Sequence, residues 1–217
     1  MSKRTALIAN VVIASILLSL SVVVFTTDLN SVFLTVSAPM QNGNRERQSV
    51  SFMVAVNGQT PHLAPLIDIL DERGVGATFF LSGSWIGANL ALTRRLCRDF
   101  EVGNMAFSGT DIRRKSESAQ RQEIADTHSF LQSAACHPTR LFFPPNSSFN
   151  RNTLRAAESL GYITVLPSVT DLASINFRSG DLILLKPDMV TLHALPSLID
   201  HFLATGYSII PVSEAIV

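Results

Sequence analysis

The chain has 217 residues, a length that fits one globular domain and leaves no room for two large ones. Its 17 basic and 17 acidic side chains cancel, so the charge gives no support for binding nucleic acid, which needs a basic surface. Apolar residues make up 47%, which excludes disorder over the whole length. Two cysteines are too few for a disulfide-rich miniature fold or a cysteine-clustered zinc motif.

An uncharged apolar stretch lies near the start of the chain, at residues 6–25. A helix of that length spans about 30 Å, the thickness of a bilayer's hydrocarbon core. The stretch is longer than the ~7–15 apolar residues of a signal peptide. We therefore expect an uncleaved transmembrane anchor rather than a cleaved signal. Lys3 and Arg4 then place residues 1–5 in the cytoplasm, and the rest of this single-pass cell-membrane protein is expected to be extracytoplasmic.

The sequence after the anchor predicts a linker over residues 26–48 and a globular domain over residues 49–217. In the domain, short apolar runs typical of buried strands alternate with segments of helical periodicity. In chain order, strands are predicted at residues 50–56, 77–81, 101–107, 140–143, 162–166, 181–185 and 207–210, and helices at residues 60–74, 90–98, 124–135, 150–161 and 192–206.

Strict alternation of strands and helices predicts right-handed crossovers and an α/β fold with a parallel sheet. The pattern alone allows both a barrel and an open doubly wound sheet. In either fold the chemistry lies in the loops that follow the carboxyl ends of the strands.

Several segments at these strands and loops resemble one family. They are GVGATFFLSGSW at residues 74–85, EVGN at residues 101–104, FFPPN at residues 142–146 and the ending GYSIIPVSEAI. Their order and spacing are similar to those of polysaccharide deacetylases of the NodB homology type, carbohydrate esterase family 4. The resemblance implies a distorted (β/α) barrel of about seven parallel strands, here preceded by one N-terminal transmembrane helix. It also implies a site that uses zinc or another divalent metal to remove acetyl groups from amino-sugar polymers.

The resemblance also shows which residues stand at the family's metal positions. An aspartate that acts as the base and an aspartate that binds the metal correspond to Val56 and Asn57. Two metal-binding histidines correspond to Met105 and Gly109. A hydrolytic metal needs deprotonated nitrogen or oxygen ligands and an open position for water. We therefore expect no bound metal and no cofactor.

Two further positions of the family's catalytic machinery are also changed. The arginine that holds the base corresponds to Phe143, and the general-acid histidine corresponds to Lys186. We therefore expect no catalytic residue, and a pseudoenzyme. The pocket candidates at the strand ends are Val56, Asn57, His62, Asn104, Met105, Ser108, Gly109, Phe143, Asn146, Asp171 and Lys186.

An active deacetylase with a rebuilt metal site is the alternative. It requires at least three hard ligands, drawn from His62, Asp171 and Asp188. Each has an ordinary interpretation as well: His62 as an exposed residue of a first helical turn, and Asp171 as a residue that holds a loop. Lys186 either binds a carboxylate or phosphate, or points to solvent.

The expected function is binding of a cell-envelope glycan or a protein partner by a membrane-anchored, deacetylase-like domain. The apolar residues Val56, Met105 and Phe143 either line an open pocket, which favours binding, or fill the end of the barrel, which favours a scaffold.

Cys97 and Cys136 each lie four residues before a predicted strand, at the end of the domain away from the pocket. In an oxidising compartment they are expected to pair if their Cα atoms lie within about 7 Å. Two separate buried thiols are the alternative.

Overall fold

The computed structural model describes residues 12–16, 38–138, 140–173 and 176–217. The chain divides into two compact units, Met1–Val36 and Ser37–Val217. Of the first unit only residues 12–16 are described, and they are helical. The rest of the predicted anchor lies outside the described residues. No helix in the described part of the chain has the length and apolar character needed to cross a membrane.

The second unit is built on a sheet of seven strands that all pair in parallel. Across the sheet the order is β5-β4-β3-β2-β1-β6, and β7 pairs with the start of β1. Every predicted strand is present, although the second is one residue shorter than predicted and the third, fourth, fifth and seventh are shorter by two or three residues. The strands are β1 (Ser49–Val56), β2 (Thr78–Leu81), β3 (Glu101–Asn104), β4 (Leu141–Phe142), β5 (Ile163–Thr164), β6 (Asp181–Leu185) and β7 (Ser208–Ile209).

The chain that follows β5 brings the two edges of the sheet together. Val169 forms a parallel bridge with Ile183 of β6, and its carbonyl accepts a hydrogen bond of 2.8 Å from the Leu184 amide. The sheet therefore curls into a partial barrel, which agrees with the fold that the resemblance implies.

Part of the predicted linker belongs to this second unit. The Met40 amide donates to the Thr164 carbonyl, and the Met40 carbonyl accepts from the Leu166 amide, both at 2.8 Å. Asn42 bridges to Asp181 on the opposite edge of the sheet. The linker prediction for residues 26–48 therefore needs correction over residues 38–48, which belong to the second unit. Their polar composition gave no sign of this, because pairing through backbone groups requires no apolar side chain.

Seven helices pack around the sheet in the described part of the second unit. Five match predicted helices. The other two were missed because α2 has six residues with two glycines and α7 has four residues, so neither shows a helical period. The helices are α1 (Leu63–Arg73), α2 (Gly83–Ala88), α3 (Leu90–Asp99), α4 (Glu117–Ser133), α5 (Arg151–Ser159), α6 (Met189–Ala204) and α7 (Val212–Ala215).

Alternation along β1 separates two hydrophobic layers, because successive side chains of a strand point to opposite faces. Phe52, Val54 and Val56 pack with the apolar faces of α1 and α6. Met53 and Ala55 pack instead with residues from the other strands inside the curled sheet. Ala55 rather than Val56 therefore faces the interior of the curled sheet. The alternation of side chains along β1 thus decides which of its residues lie inside the sheet.

The structure joins Cys97 and Cys136 in a disulfide with Cα atoms 5.3 Å apart. Cys97 lies in α3 and Cys136 follows α4, so the bond connects two segments that lead into neighbouring strands. The two cysteines thus pair rather than remain separate thiols, at the end of the strands opposite the predicted pocket.

Candidate functional site

A cavity of about 510 Å³ opens at the carboxyl ends of the strands, where parallel α/β folds place their chemistry. Ligand pockets generally measure about 300–1,000 Å³. The floor is apolar and consists of Ala55, Met105, Phe143 and Leu184. The rim carries amides, hydroxyls and one ammonium group, from Asn57, Gln59, Thr60, Asn146, Ser147, Thr170 and Lys186, with Pro187 beside them.

Five of the eleven predicted pocket residues line this cavity, and they come from loops after four different strands. They are Asn57, Met105, Phe143, Asn146 and Lys186. The other six lie elsewhere in the described part of the molecule, and their positions are considered in turn.

Val56 does not line the cavity, and its prediction as a pocket residue needs correction. Its side chain is fully buried among the residues that pack under the helices. The alternation of side chains along β1 places Ala55 at the floor instead. Because residues two apart in a strand point to the same face, the sequence could have indicated Ala55 from the position of Asn57.

Asn57 and Gly109, two positions that the resemblance matches to metal ligands, contact each other directly. The Asn57 Nδ2 donates a hydrogen bond of 2.8 Å to the Gly109 carbonyl. Gly109 has a φ of 62°, a left-handed conformation that favours glycine. A Cβ atom at this position would lie 2.9 Å from the Asn57 Cβ and 3.0 Å from the Ser82 Cβ. A side chain at position 109 is therefore excluded by both backbone conformation and space.

Asn104 has a structural role behind the cavity, since its side chain is fully buried. Its Nδ2 donates to the Ile124 carbonyl at 2.8 Å and to the Tyr162 hydroxyl at 3.2 Å. Its Oδ1 accepts from the Ala106 amide at 2.9 Å. These bonds hold α4 and the loop after β3 against the sheet.

The Tyr162 hydroxyl extends this network to His128, whose Nδ1 lies 2.8 Å away. Burial raises the pKa of Tyr162, and the hydrogen bond from Asn104 partly opposes the rise. Burial also lowers the pKa of His128, and the positive charge of Arg140 adds to the effect. The network thus favours the uncharged forms of both rings.

Ser108 is likewise held in structural contacts. Its amide donates to Glu123 Oε2 at 2.7 Å, and its hydroxyl accepts from the Thr110 hydroxyl at 3.0 Å. Burial alone would raise the pKa of Glu123, but hydrogen bonds from Lys115 and Ser108 lower it overall. The charged Glu123 therefore ties the loop after β3 to α4.

The three residues named for a rebuilt metal site are not brought together at the cavity. His62 immediately precedes α1, and Asp171 lines a separate cavity of about 420 Å³ beside Arg45 and Arg178. Asp188 Oδ1 accepts a hydrogen bond of 2.8 Å from the Thr191 amide and so caps α6. Within the described ranges, no group of three or more His, Cys, Asp or Glu side chains could hold a metal ion.

Strained backbone surrounds the cavity. Asn146 and Ser147, both in its lining, have φ values of 56°, and Ala106, next to Met105, has a φ of 58°. These are three of the four described non-glycine residues with positive φ. Each such conformation costs about 1–3 kcal/mol and is found mainly at functional sites. The strain therefore favours a functional role for the cavity.

Sequence reasoning missed seven lining residues. Period-two alternation was a usable signal for two of them, because Ala55 shares a face with Asn57 and Leu184 shares a face with Lys186. The others follow from loop conformation and gave no such signal. The missed residues are Ala55, Gln59, Thr60, Ser147, Thr170, Leu184 and Pro187.

Comparison with known sequences identifies one family. The family model described as polysaccharide deacetylase matches residues 45–165, more than half of the chain. The uncharacterized protein YlxY of Bacillus subtilis is 25% identical over 190 residues, which are 81% of this chain and 60% of YlxY. The peptidoglycan-N-acetylmuramic acid deacetylase PdaA of Bacillus subtilis is 27% identical over 115 residues, 52% of this chain and 43% of PdaA. The chain thus matches only about half of these relatives' length.

Among solved structures, wild-type BA3943 of Bacillus anthracis, described as a pseudoenzyme of carbohydrate esterase family 4, superposes with a TM-score of 0.78. The identity is 23%, and the match covers 83% of this chain and 69% of BA3943. A BA3943 mutant described as having restored enzymatic activity gives the same TM-score of 0.78. At this identity the likeness establishes the fold.

Proposed function

Because the chain belongs to the polysaccharide deacetylase family, we propose that it binds an amino-sugar glycan of the cell envelope in this cavity without hydrolysing it. The lining of the cavity carries the proposal. Within the described residues, the lining contains no carboxylate, imidazole or thiol group. Neutral hydrogen-bonding groups around an apolar floor suit the hydroxyl and acetamide groups of a sugar. Hydrolysis additionally requires an activated water molecule.

The zinc ion that the family implies does not fit the residues at these positions. Zinc is bound by thiolate, imidazole or carboxylate. Asn57 offers a neutral amide that already donates to Gly109, Met105 offers a thioether, and Gly109 offers no side chain. The description of BA3943 as a pseudoenzyme supports the same proposal by analogy of fold.

The open volume of the cavity supports binding over a purely structural role. Met105 and Phe143 are almost fully buried at its floor, yet about 510 Å³ remains above them. A scaffold whose barrel end had been filled by these side chains would leave no such space.

We further propose that the domain is extracytoplasmic and anchored by residues 6–25. The disulfide between Cys97 and Cys136 supports this location, because disulfides persist in oxidising compartments. The basic residues Lys3 and Arg4 before the apolar stretch support the orientation. The protein is expected to remain with membranes after alkaline carbonate extraction, and its cysteines should react with maleimide only after reduction. Release into the supernatant would contradict the anchor.

A protein partner is the second candidate. Met189 and Val190, which follow the lining residue Pro187, are 52% and 75% exposed. Exposed apolar patches can mark sites of protein interaction when they are large and contiguous. This candidate gains support if no glycan binds.

The test measures binding and turnover on the same preparation. The full chain is purified in mild detergent and titrated calorimetrically with an N-acetylglucosamine oligomer, while acetate release and zinc content are measured in parallel. The variant Ala55→Leu fills the cavity from its floor, and Ala91→Leu on the exposed face of α3 is the matched control. We expect binding by the wild type and the control, loss of binding in Ala55→Leu, and no acetate release. Acetate release with stoichiometric zinc would overturn the proposal, and so would unchanged binding by Ala55→Leu.

A further inference from the structure

Lys186 is the one charged side chain in the cavity lining, as far as the described residues extend. It follows β6 and is exposed. Among the described residues, its ammonium group has no hydrogen-bond or ion-pair partner. Lys115, by contrast, forms an ion pair with Glu123.

The nearest acidic residue in the sequence caps a helix and forms no ion pair with Lys186 among the described residues. Asp188 lies two residues after Lys186, but its Oδ1 caps α6 through the Thr191 amide. The remaining polar groups of the lining are neutral amides and hydroxyls. The lining therefore carries a formal charge of +1 on this ammonium group, and no acidic side chain of the lining balances it.

We propose that the cavity selects a sugar unit that carries an anionic group, and that Lys186 binds this group. The inference rests on the proposed glycan binding and deepens it by naming the chemical class of the bound unit. A lysine ammonium is a compact charge with three donors on a flexible stem, so it can donate hydrogen bonds to either a carboxylate or a phosphate. The amides and hydroxyls of the rim bind the neutral part of the same sugar.

The expected preference is modest because Lys186 is exposed to solvent. Exposed ion pairs are weaker than charge-assisted hydrogen bonds in buried sites. At low salt we expect an anionic sugar to bind roughly three- to tenfold more tightly than its neutral counterpart. The preference should decrease as salt screens the charges, since the Debye length falls from about 30 Å at 0.01 M to about 3 Å at 1 M.

The test compares three sugars that share one ring. The neutral probe is N-acetylglucosamine, the carboxylate probe is N-acetylmuramic acid, and the phosphate probe is N-acetylglucosamine 6-phosphate. Each is titrated into the full chain in detergent, followed by protein NMR at low and high salt. The variant Lys186→Gln removes the charge, Lys186→Arg retains it, and Arg94→Gln removes one positive charge from the exposed face of α3 as the matched control.

We expect tighter binding of at least one anionic probe by the wild type, Lys186→Arg and Arg94→Gln, and loss of that preference in Lys186→Gln. The anionic probe that binds more tightly identifies the group as carboxylate or phosphate. Equal affinity for all three sugars would overturn this inference while leaving the proposed glycan binding intact. An anionic preference that persists in Lys186→Gln would also overturn it. Failure of every sugar, neutral and anionic, to bind would overturn both.

Discussion

Reduction of the disulfide between Cys97 and Cys136 is expected to lower the free energy of unfolding by about 4 kcal/mol. The two cysteines are separated by 39 residues in the sequence. The loop-closure relation for a loop of that size gives about 13 cal/mol/K of lost entropy in the unfolded chain, or about 4 kcal/mol at 25 °C. The thermal midpoint of a domain of this size should then fall by about 8–16 °C.

Urea unfolding of the full chain in detergent, followed by tryptophan fluorescence, measures this difference. Trp85 is the only tryptophan in the chain, and it is buried in α2 with its Nε1 bonded to the Thr60 hydroxyl at 3.1 Å. Its emission therefore reports unfolding of the domain. The protein is compared with and without a phosphine reductant, and the double variant Cys97→Ala/Cys136→Ala is the control.

The oxidised protein should be the more stable by about 4 kcal/mol, and the reductant should leave the double variant unchanged. A difference below about 1 kcal/mol between the oxidised and reduced forms would refute the loop-closure reasoning. A response of the double variant to the reductant would show that the effect does not come from this bond.

Three further outcomes follow from the structure. The substitution Gly109→Ala should lower the free energy of unfolding, measured in urea, by at least about 2 kcal/mol, because residue 109 has a left-handed backbone and a Cβ there would contact Asn57. An unchanged free energy of unfolding would contradict this conformation. Because burial lowers the pKa of His128, the unfolded chain binds the proton more readily, so stability should fall as the pH drops through about 6.5. The pH dependence should be smaller in His128→Gln, and equal slopes for the two proteins would show that His128 does not contribute. The double variant Asn57→Asp/Met105→His should not bind stoichiometric zinc, because it provides only two hard ligands and Gly109 supplies none. Stoichiometric zinc found by elemental analysis would contradict this expectation.

The sequence predicted those elements whose local signals agree with their tertiary contacts. β1 is a mostly apolar segment that is buried on both faces, and α1 ends at Arg73 just before Gly74, which has a left-handed φ of 62°. The start of α1 was less predictable. The helix was predicted to begin at residue 60, but the Thr60 hydroxyl accepts a hydrogen bond from Trp85, and the helix begins at Leu63. That contact joins residues 25 positions apart, so no local pattern could reveal it.

The location of the site was predictable, but its exact lining was not. Loops after parallel strands meet at one edge, which is why Asn57, Met105 and Phe143 all line one cavity. Thr170 could not have been found this way. It reaches the cavity because the chain after β5 turns to pair with β6 at Val169, a backbone interaction that leaves no mark on the sequence.

The contacts around the cavity show how the protein holds the shape of the cavity with its own side chains and backbone. The Asn57 side chain joins the loop after β1 to the loop after β3 through the Gly109 carbonyl. Asn104 holds the second of these loops through the Ala106 amide, and the pairing of Val169 with β6 holds the wall between β5 and β6. None of these interactions requires a bound ion, so the protein itself supplies the connections between loops. The cavity can therefore keep its shape whether or not the site binds a metal, which is what the proposed binding without hydrolysis requires.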